Sequence, residues 1–113
     1  MVKLEGMITE ITQWIDANIH CPLSISDVAA RAGYSKWHLQ RIFLKITGES
    51  IATYIRDKKL ALAARDLVES QEGILDISFR YGFDSQQSFT RSFSKKYKTP
   101  PQKYRRLYAV KHR

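Results

Sequence analysis

The second half of this chain repeats the first, and few folds accommodate that. Ile25, Asp27, Val28, Arg31 and Gly33 recur 49 residues later as Ile74, Asp76, Ile77, Arg80 and Gly82. Beyond the glycine the offset becomes 50. Ser35, Leu39, Arg41, Phe43 and Lys45 then match Ser85, Phe89, Arg91, Phe93 and Lys95, and Tyr54 and Arg56 match Tyr104 and Arg106. One residue inserted in the second turn accounts for the change of offset. Two copies are too few for a solenoid. In a chain of 113 residues they imply two very small units.

Each copy reads as helix, tight turn, helix. Sustained alternation and Asn-Gly or Asp-Gly hairpins are absent from the sequence, whereas spacings of three and four recur. The expected fold is all-α: two helix-turn-helix subdomains joined by a long central helix, with about seven helices. Ile8, Ile11, Ile15 and Ile19, with Trp14 beside them, mark an amphipathic helix stopped near His20–Pro22 by the proline. Ser24 caps a second helix, with Asp27 in the capping-box position, and Gly33 ends it. Ser35 caps a third, with Leu39, Ile42, Phe43 and Ile46 inward and Gly48 at its end. A longer helix, about Ser50 to Ser70, buries Leu60, Ala63, Ala64 and Leu67. Ile74–Tyr81 follows, closed by Gly82. Ser85–Tyr97 comes next, with Phe89, Phe93 and Tyr97 inward. Thr99 caps a last helix, whose first turn suits Pro100 and Pro101. The corresponding boundaries are 1–7, a loose extension whose Met7 could be the original start; 8–49, the first subdomain; 50–70, a linker helix; 71–106, the second subdomain; and 107–113, a basic tail.

The charge then says what the repeat is for. Lys and Arg number 19 against 11 Asp and Glu, a net charge of +8, which favours an anionic polymer as partner. On the third helix Trp37, Gln40 and Arg41 project together at i, i+3 and i+4, away from the apolar face. On the sixth, Gln86, Gln87, Thr90 and Arg91 face away from Phe89 and Phe93. Arg bonds bidentately to guanine, Gln does the same to adenine, and Trp offers apolar contact to a thymine methyl. Trp37, Gln40, Arg41, Gln86, Gln87 and Arg91 are therefore the candidate base readers of double-stranded DNA. Ser35, Lys36, Lys45, Arg56, Lys58, Lys59, Ser85, Thr90, Lys95, Lys96, Lys103, Arg105 and Arg106 are candidates for the sugar-phosphate backbone. A solvated polar face is the competing reading, and an exposed Trp with paired Gln and Arg in both halves speaks against it.

Other classes find little support. Cys21 is the single cysteine, so no intramolecular disulfide is possible, and neither a second thiol nor a His-x-x-x-His spacing suggests a metal. An enzyme with Cys21 as nucleophile would need a partner base that the sequence does not offer. No cofactor is expected. A nonspecific architectural binder would not need two matched sets of Gln and Arg. The sequence has no run approaching the ~20 apolar residues of a membrane span, and no cleavage-like leader, so the expected compartment is the cytoplasm, at the nucleoid.

The segments GYSKWHLQRIF at 33–43, GFDSQQSFTRSF at 82–93 and PPQKYR at 100–105 closely resemble the AraC/XylS family, in particular its short stress and multidrug branch of the MarA, SoxS, Rob and RamA type. The resemblance covers residues 8–106. It implies seven helices in two subdomains, and a monomer bound to an asymmetric site in two adjacent major-groove segments. Trp37, Gln40 and Arg41 would read one segment, and Gln86, Gln87 and Arg91 the other. Ser88 and Phe89 stand where several members have Thr and Leu, which bears on sequence preference in that half. The resemblance also implies activation through RNA polymerase, drug-efflux, porin-control and oxidative-stress genes as targets, and no separate small-molecule effector domain within these 113 residues.

Overall fold

In the computed structural model, which describes residues 2–109, the chain folds as helices throughout the described residues. They are α1 (Val2–Ala17), α2 (Ile25–Ala32), α3 (Lys36–Thr47), α4 (Ile51–Glu69), α5 (Ile74–Arg80), α6 (Gln86–Tyr97) and α7 (Pro101–Tyr108). The fold class is the one the periodicity predicts.

Local chemistry sets most of the boundaries. The Ser24 hydroxyl accepts from the Asp27 amide at 3.1 Å and the Asp27 carboxylate accepts from the Ser24 amide at 3.2 Å, a complete capping box for α2. Ser35 and Ser85 accept from the amides of His38 and Ser88, starting α3 and α6 in the same way. The turns between the paired helices hold Gly33 at φ +78° and Gly82 at φ +83°, a left-handed conformation in which a Cβ would be strained.

The chain divides into two compact units, Met1–Lys58 and Lys59–Arg113, and the division falls inside α4. The long helix, expected from the sequence as a linker over 50–70, therefore contributes residues to both units. Its first half closes the first unit. Ile51 and Ile55 are buried, the Tyr54 hydroxyl donates to Asp16 Oδ1 on α1 at 2.9 Å, and the Tyr54 ring meets Phe43 of α3 edge-on at 5.7 Å. Its second half opens the second unit, where Leu60, Ala63, Ala64 and Leu67 form one core with Ile77, Tyr81, Phe89 and Phe93. There α7 does what the first half of α4 does in the other unit: Tyr104, 50 residues after Tyr54, meets Phe93 edge-on at 5.2 Å. Each unit is thus the same four-helix arrangement.

Several local expectations change. Residues 2–6 are not a loose extension, because α1 starts at Val2. Leu4 is half-buried one turn before buried Ile8, and Glu5 suits the first turn; Gly6 costs about 1 kcal/mol in a helix but does not end it. The same helix ends at Ala17, before the proline, where the Asn18 side chain donates to Trp14 O at 2.8 Å. The cap of α7 is Pro100, in extended backbone, and not Thr99. Ile46, expected inside, is 37% exposed near the end of α3. Leu107 and Tyr108 belong to α7, so the tail drawn at 107–113 is helical at its start; residues 110–113 lie outside the described region.

A tyrosine–aspartate hydrogen bond ties helices together in each unit. In the first it is Tyr54 to Asp16; in the second the Tyr81 hydroxyl donates to Asp66 Oδ2 at 2.6 Å. Burial, reinforced by the aspartate acceptor, pushes both phenols up from 10.0 to about 12. The folded state thus holds these protons more tightly than the unfolded chain does. Their contribution to stability is complete below the unfolded value of 10 and is lost as pH rises towards about 12. Thermal melts followed by circular dichroism should show melting temperature falling across that window. The double variant Tyr54→Phe, Tyr81→Phe should start lower at neutral pH and fall less steeply.

Candidate nucleic-acid interface

The orientation of α3 follows from two buried residues, Leu39 and Phe43, one turn apart. With ~100° per residue, their burial turns Trp37, Arg41 and Leu44 to the opposite side and Gln40 to its flank. All four are exposed, Trp37 at 65%, which removes the possibility that it is a core residue. The Arg41 guanidinium carbon lies 4.7 Å from the centroid of the Trp37 ring, a cation–π stack that holds the guanidinium on the outward face. Leu44, 53% exposed on the same face, is a residue that the sequence reading missed.

Helix α6 repeats the scheme. Phe89 and Phe93 are buried, and Gln86, Gln87, Thr90, Arg91 and Ser94 line one shallow concavity. Thr90 is half-buried, whereas Gln86, Gln87 and Arg91 are exposed. The counterpart of Trp37 is Gln87, so the aromatic stack is particular to α3. Ser94 also went unread in the sequence; it is the counterpart of Leu44 at an offset of 50, and extending each polar stripe by one more turn would have found both.

The backbone candidates separate by environment. Lys36 and Arg56 are exposed. Lys45, Lys95 and Lys96 lie in the last turns of α3 and α6, where a cation also favours the helix dipole, and Lys96 sits 5.6 Å over the Tyr97 ring. Lys59 is half-buried, its ammonium close to Gly82 at the turn of the second unit. Ser35 and Ser85 already accept amide protons as caps, with their hydroxyl protons left to donate. Arg105 has structural work that the sequence did not suggest. It is half-buried, its Nε donates to Leu67 O at 2.9 Å and its Nη2 donates to Glu72 O at 2.6 Å, clamping the segment that leads from α4 into α5. Beside it Arg80 pairs with Glu72 and, at 2.9 Å, with Asp66, contacts that hold its pKa above the usual arginine range.

Among the described residues no group of three or more His, Cys, Asp or Glu could hold a metal ion, and no helix is long and apolar enough to cross a membrane. The exposed, basic and amide-bearing faces of α3 and α6 are chemically suited to a duplex.

Comparison with known proteins agrees. A family model described as a helix-turn-helix domain matches residues 28–107. Over 98 residues the chain is 51% identical to the multiple antibiotic resistance protein MarA of Escherichia coli strain K12, covering 87% of this chain and 77% of that protein. The chain belongs to the AraC/XylS family. Within it, the chain is a MarA-like DNA-binding transcriptional regulator and not an enzyme. Two solved structures, one of them described as AraC-type, share its fold. A transcriptional regulator from Chromobacterium violaceum superposes with a TM-score of 0.88 at 26% identity, over 99% of this chain and 100% of that one. The DNA-binding domain of AdpA, solved in complex with a target DNA, gives a TM-score of 0.83 at 25% identity, over 89% of this chain and 91% of that one.

Two substitutions separate interface from scaffold in this AraC/XylS regulator. Trp37→Ala should leave the melting temperature within a few degrees of the parent and weaken DNA binding; a buried Trp would instead cost roughly 3–5 kcal/mol of stability. Arg105→Gln should do the reverse, lowering stability by about 1–3 kcal/mol through its lost carbonyl contacts. The salt dependence of DNA binding should stay unchanged for that variant, because a lost phosphate contact would reduce the slope. Thermal melts beside salt titrations of binding read both outcomes.

Proposed function

We propose that this AraC/XylS-family regulator is a transcription activator that binds as a monomer to an asymmetric DNA site, with α3 reading one major-groove segment and α6 the next. The observation that carries the reading is the outward face of α3, where a stacked Trp37–Arg41 pair stands opposite a two-residue anchor with exposed Gln40 on its flank, together with the different polar set on the repeated face of α6. Arg41 and Arg91 suit guanine, Gln40, Gln86 and Gln87 suit adenine, and Trp37 supplies apolar contact. Lys36, Lys45, Arg56, Lys59, Lys95 and Lys96, with the hydroxyls of Ser35, Ser85 and Thr90, would grip the backbone and give most of the salt-dependent affinity. The two readers differ in sequence, so no palindrome is expected. RNA polymerase is the protein partner that family membership suggests. The likeness to a protein named for multiple antibiotic resistance suggests control of resistance genes, including drug-efflux and oxidative-stress functions, at the chromosome in the cytoplasm.

Two measurements test this. Arg41→Ala or Arg91→Ala should each cost about 1–3 kcal/mol on the preferred site and relax the preference at one base pair; equal weakening on every single-base variant would demote that residue to a phosphate contact. One helix, α4, carries residues of both units. Inserting about 5 bp or about 10 bp between the half-sites should therefore reduce binding towards the nonspecific level in both cases, because major-groove faces recur about every 34 Å. Two protein copies on a palindrome, or good binding to the longer insertion, would refute the monomeric reading. A specificity ratio near one would favour a nonspecific architectural binder.

A further inference from the structure

The reading face of α3 continues past the residues just assigned to bases. Leu44 lies seven residues after Trp37, about 10 Å further along the helix axis. At ~100° per residue Trp37, Arg41 and Leu44 fall within roughly 60° of arc, opposite buried Leu39 and Phe43. Leu44 is 53% exposed, in line with the 65% exposed Trp37. The internal repeat supplies a control for this position. Its counterpart Ser94 lines the same concavity as Gln87 and Arg91, so this helical position belongs to the reading surface of α6. On α6 it carries a hydroxyl, which can bond a phosphate or a base edge. On α3 it carries a branched alkyl group, which can only gain by excluding water from another apolar group. Among base edges in the major groove, that group is the thymine 5-methyl.

We propose that Leu44 is a further specificity-determining residue of α3, packing against the 5-methyl of a thymine next to the base pairs read by Gln40 and Arg41. The proposal rests on the reading of α3 as a major-groove reader, and it adds a preference for thymine at one position that Trp37, Gln40 and Arg41 do not account for.

The test deletes the methyl and nothing else. A duplex is selected by the full chain from a randomised pool, and each of its thymines is replaced in turn by deoxyuridine, which keeps the base pair. At one thymine the replacement should weaken binding about fourfold, the worth of one buried methyl. With Leu44→Ser that loss should disappear at that thymine and persist at any thymine contacted by Trp37. Leu44→Met should retain it. Leu44→Ala, which keeps helix propensity, gives the same comparison should the serine variant melt early. Selective, tight binding without a thymine whose methyl effect depends on residue 44 would overturn the proposal and leave the DNA-reading function standing. Failure of the chain to select any duplex over bulk competitor would overturn both.

Discussion

The two helices proposed to read DNA, α3 and α6, each hang on two side chains four residues apart. Leu39 and Phe43 fix α3; Phe89 and Phe93 fix α6. In both units the second of these aromatic anchors is met edge-on by a tyrosine from the next helix, Tyr54 or Tyr104. So sparse an attachment works because helical geometry converts two buried positions into a fixed rotation for all twelve residues of each helix. The remaining positions are released from packing. That freedom allows α3 to expose an indole and a leucine, residues that usually lie inside, and allows α6 to expose two glutamines and an arginine on an identical frame.

The polar ties of each unit serve the same end by different means. In the first, Asp16 takes the Tyr54 hydroxyl and pairs with Lys58, fastening α1 to α4. In the second, Asp66 takes the Tyr81 hydroxyl and one arm of Arg80, while Glu72 takes the other arm and Arg105 closes over the neighbouring carbonyls. Both solutions place the polar ties away from the outward faces of α3 and α6. In the second unit α6 ends on Lys98 at φ +61°, where α3 in the first ends on Gly48. The two units share a frame and differ in how it is reinforced.

Most of the frame was legible in the sequence because it is written at spacings of three and four. Ser24 with Asp27, Ser35, Ser85, Gly33 and Gly82 announce the helix ends, and the apolar stripe Leu60, Ala63, Ala64, Leu67 announces the core of the second unit. What escaped was long-range or depended on a competition between local signals. Arg105 reads as one more surface cation, because its acceptor Leu67 O is 38 residues away. Residues 1–7 read as a loose extension, but α1 starts at Val2 and Leu4 is half-buried one turn before Ile8. Thr99 reads as a cap, but Pro100 takes that place with its backbone already fixed for it. Leu44 hid for the opposite reason: a leucine in a helix is expected to point inward, although the stripe of Trp37 and Arg41 extended by one turn reaches it.

The seam between the two units has a consequence for how such a chain can be rearranged. It runs through the interior of α4, so no loop cut yields two intact halves. Severing the chain before Ile51 strips the first unit of Ile51, Tyr54 and Ile55; severing it after Glu69 strips the second of Leu60, Ala63, Ala64 and Leu67. Recombination that trades one reader for another at a loop junction would therefore deliver a module without its lid or without its floor. A viable exchange has to join helix to helix near Lys58, in register, and new recognition pairs are reached more readily by substitution on the exposed faces than by shuffling of segments.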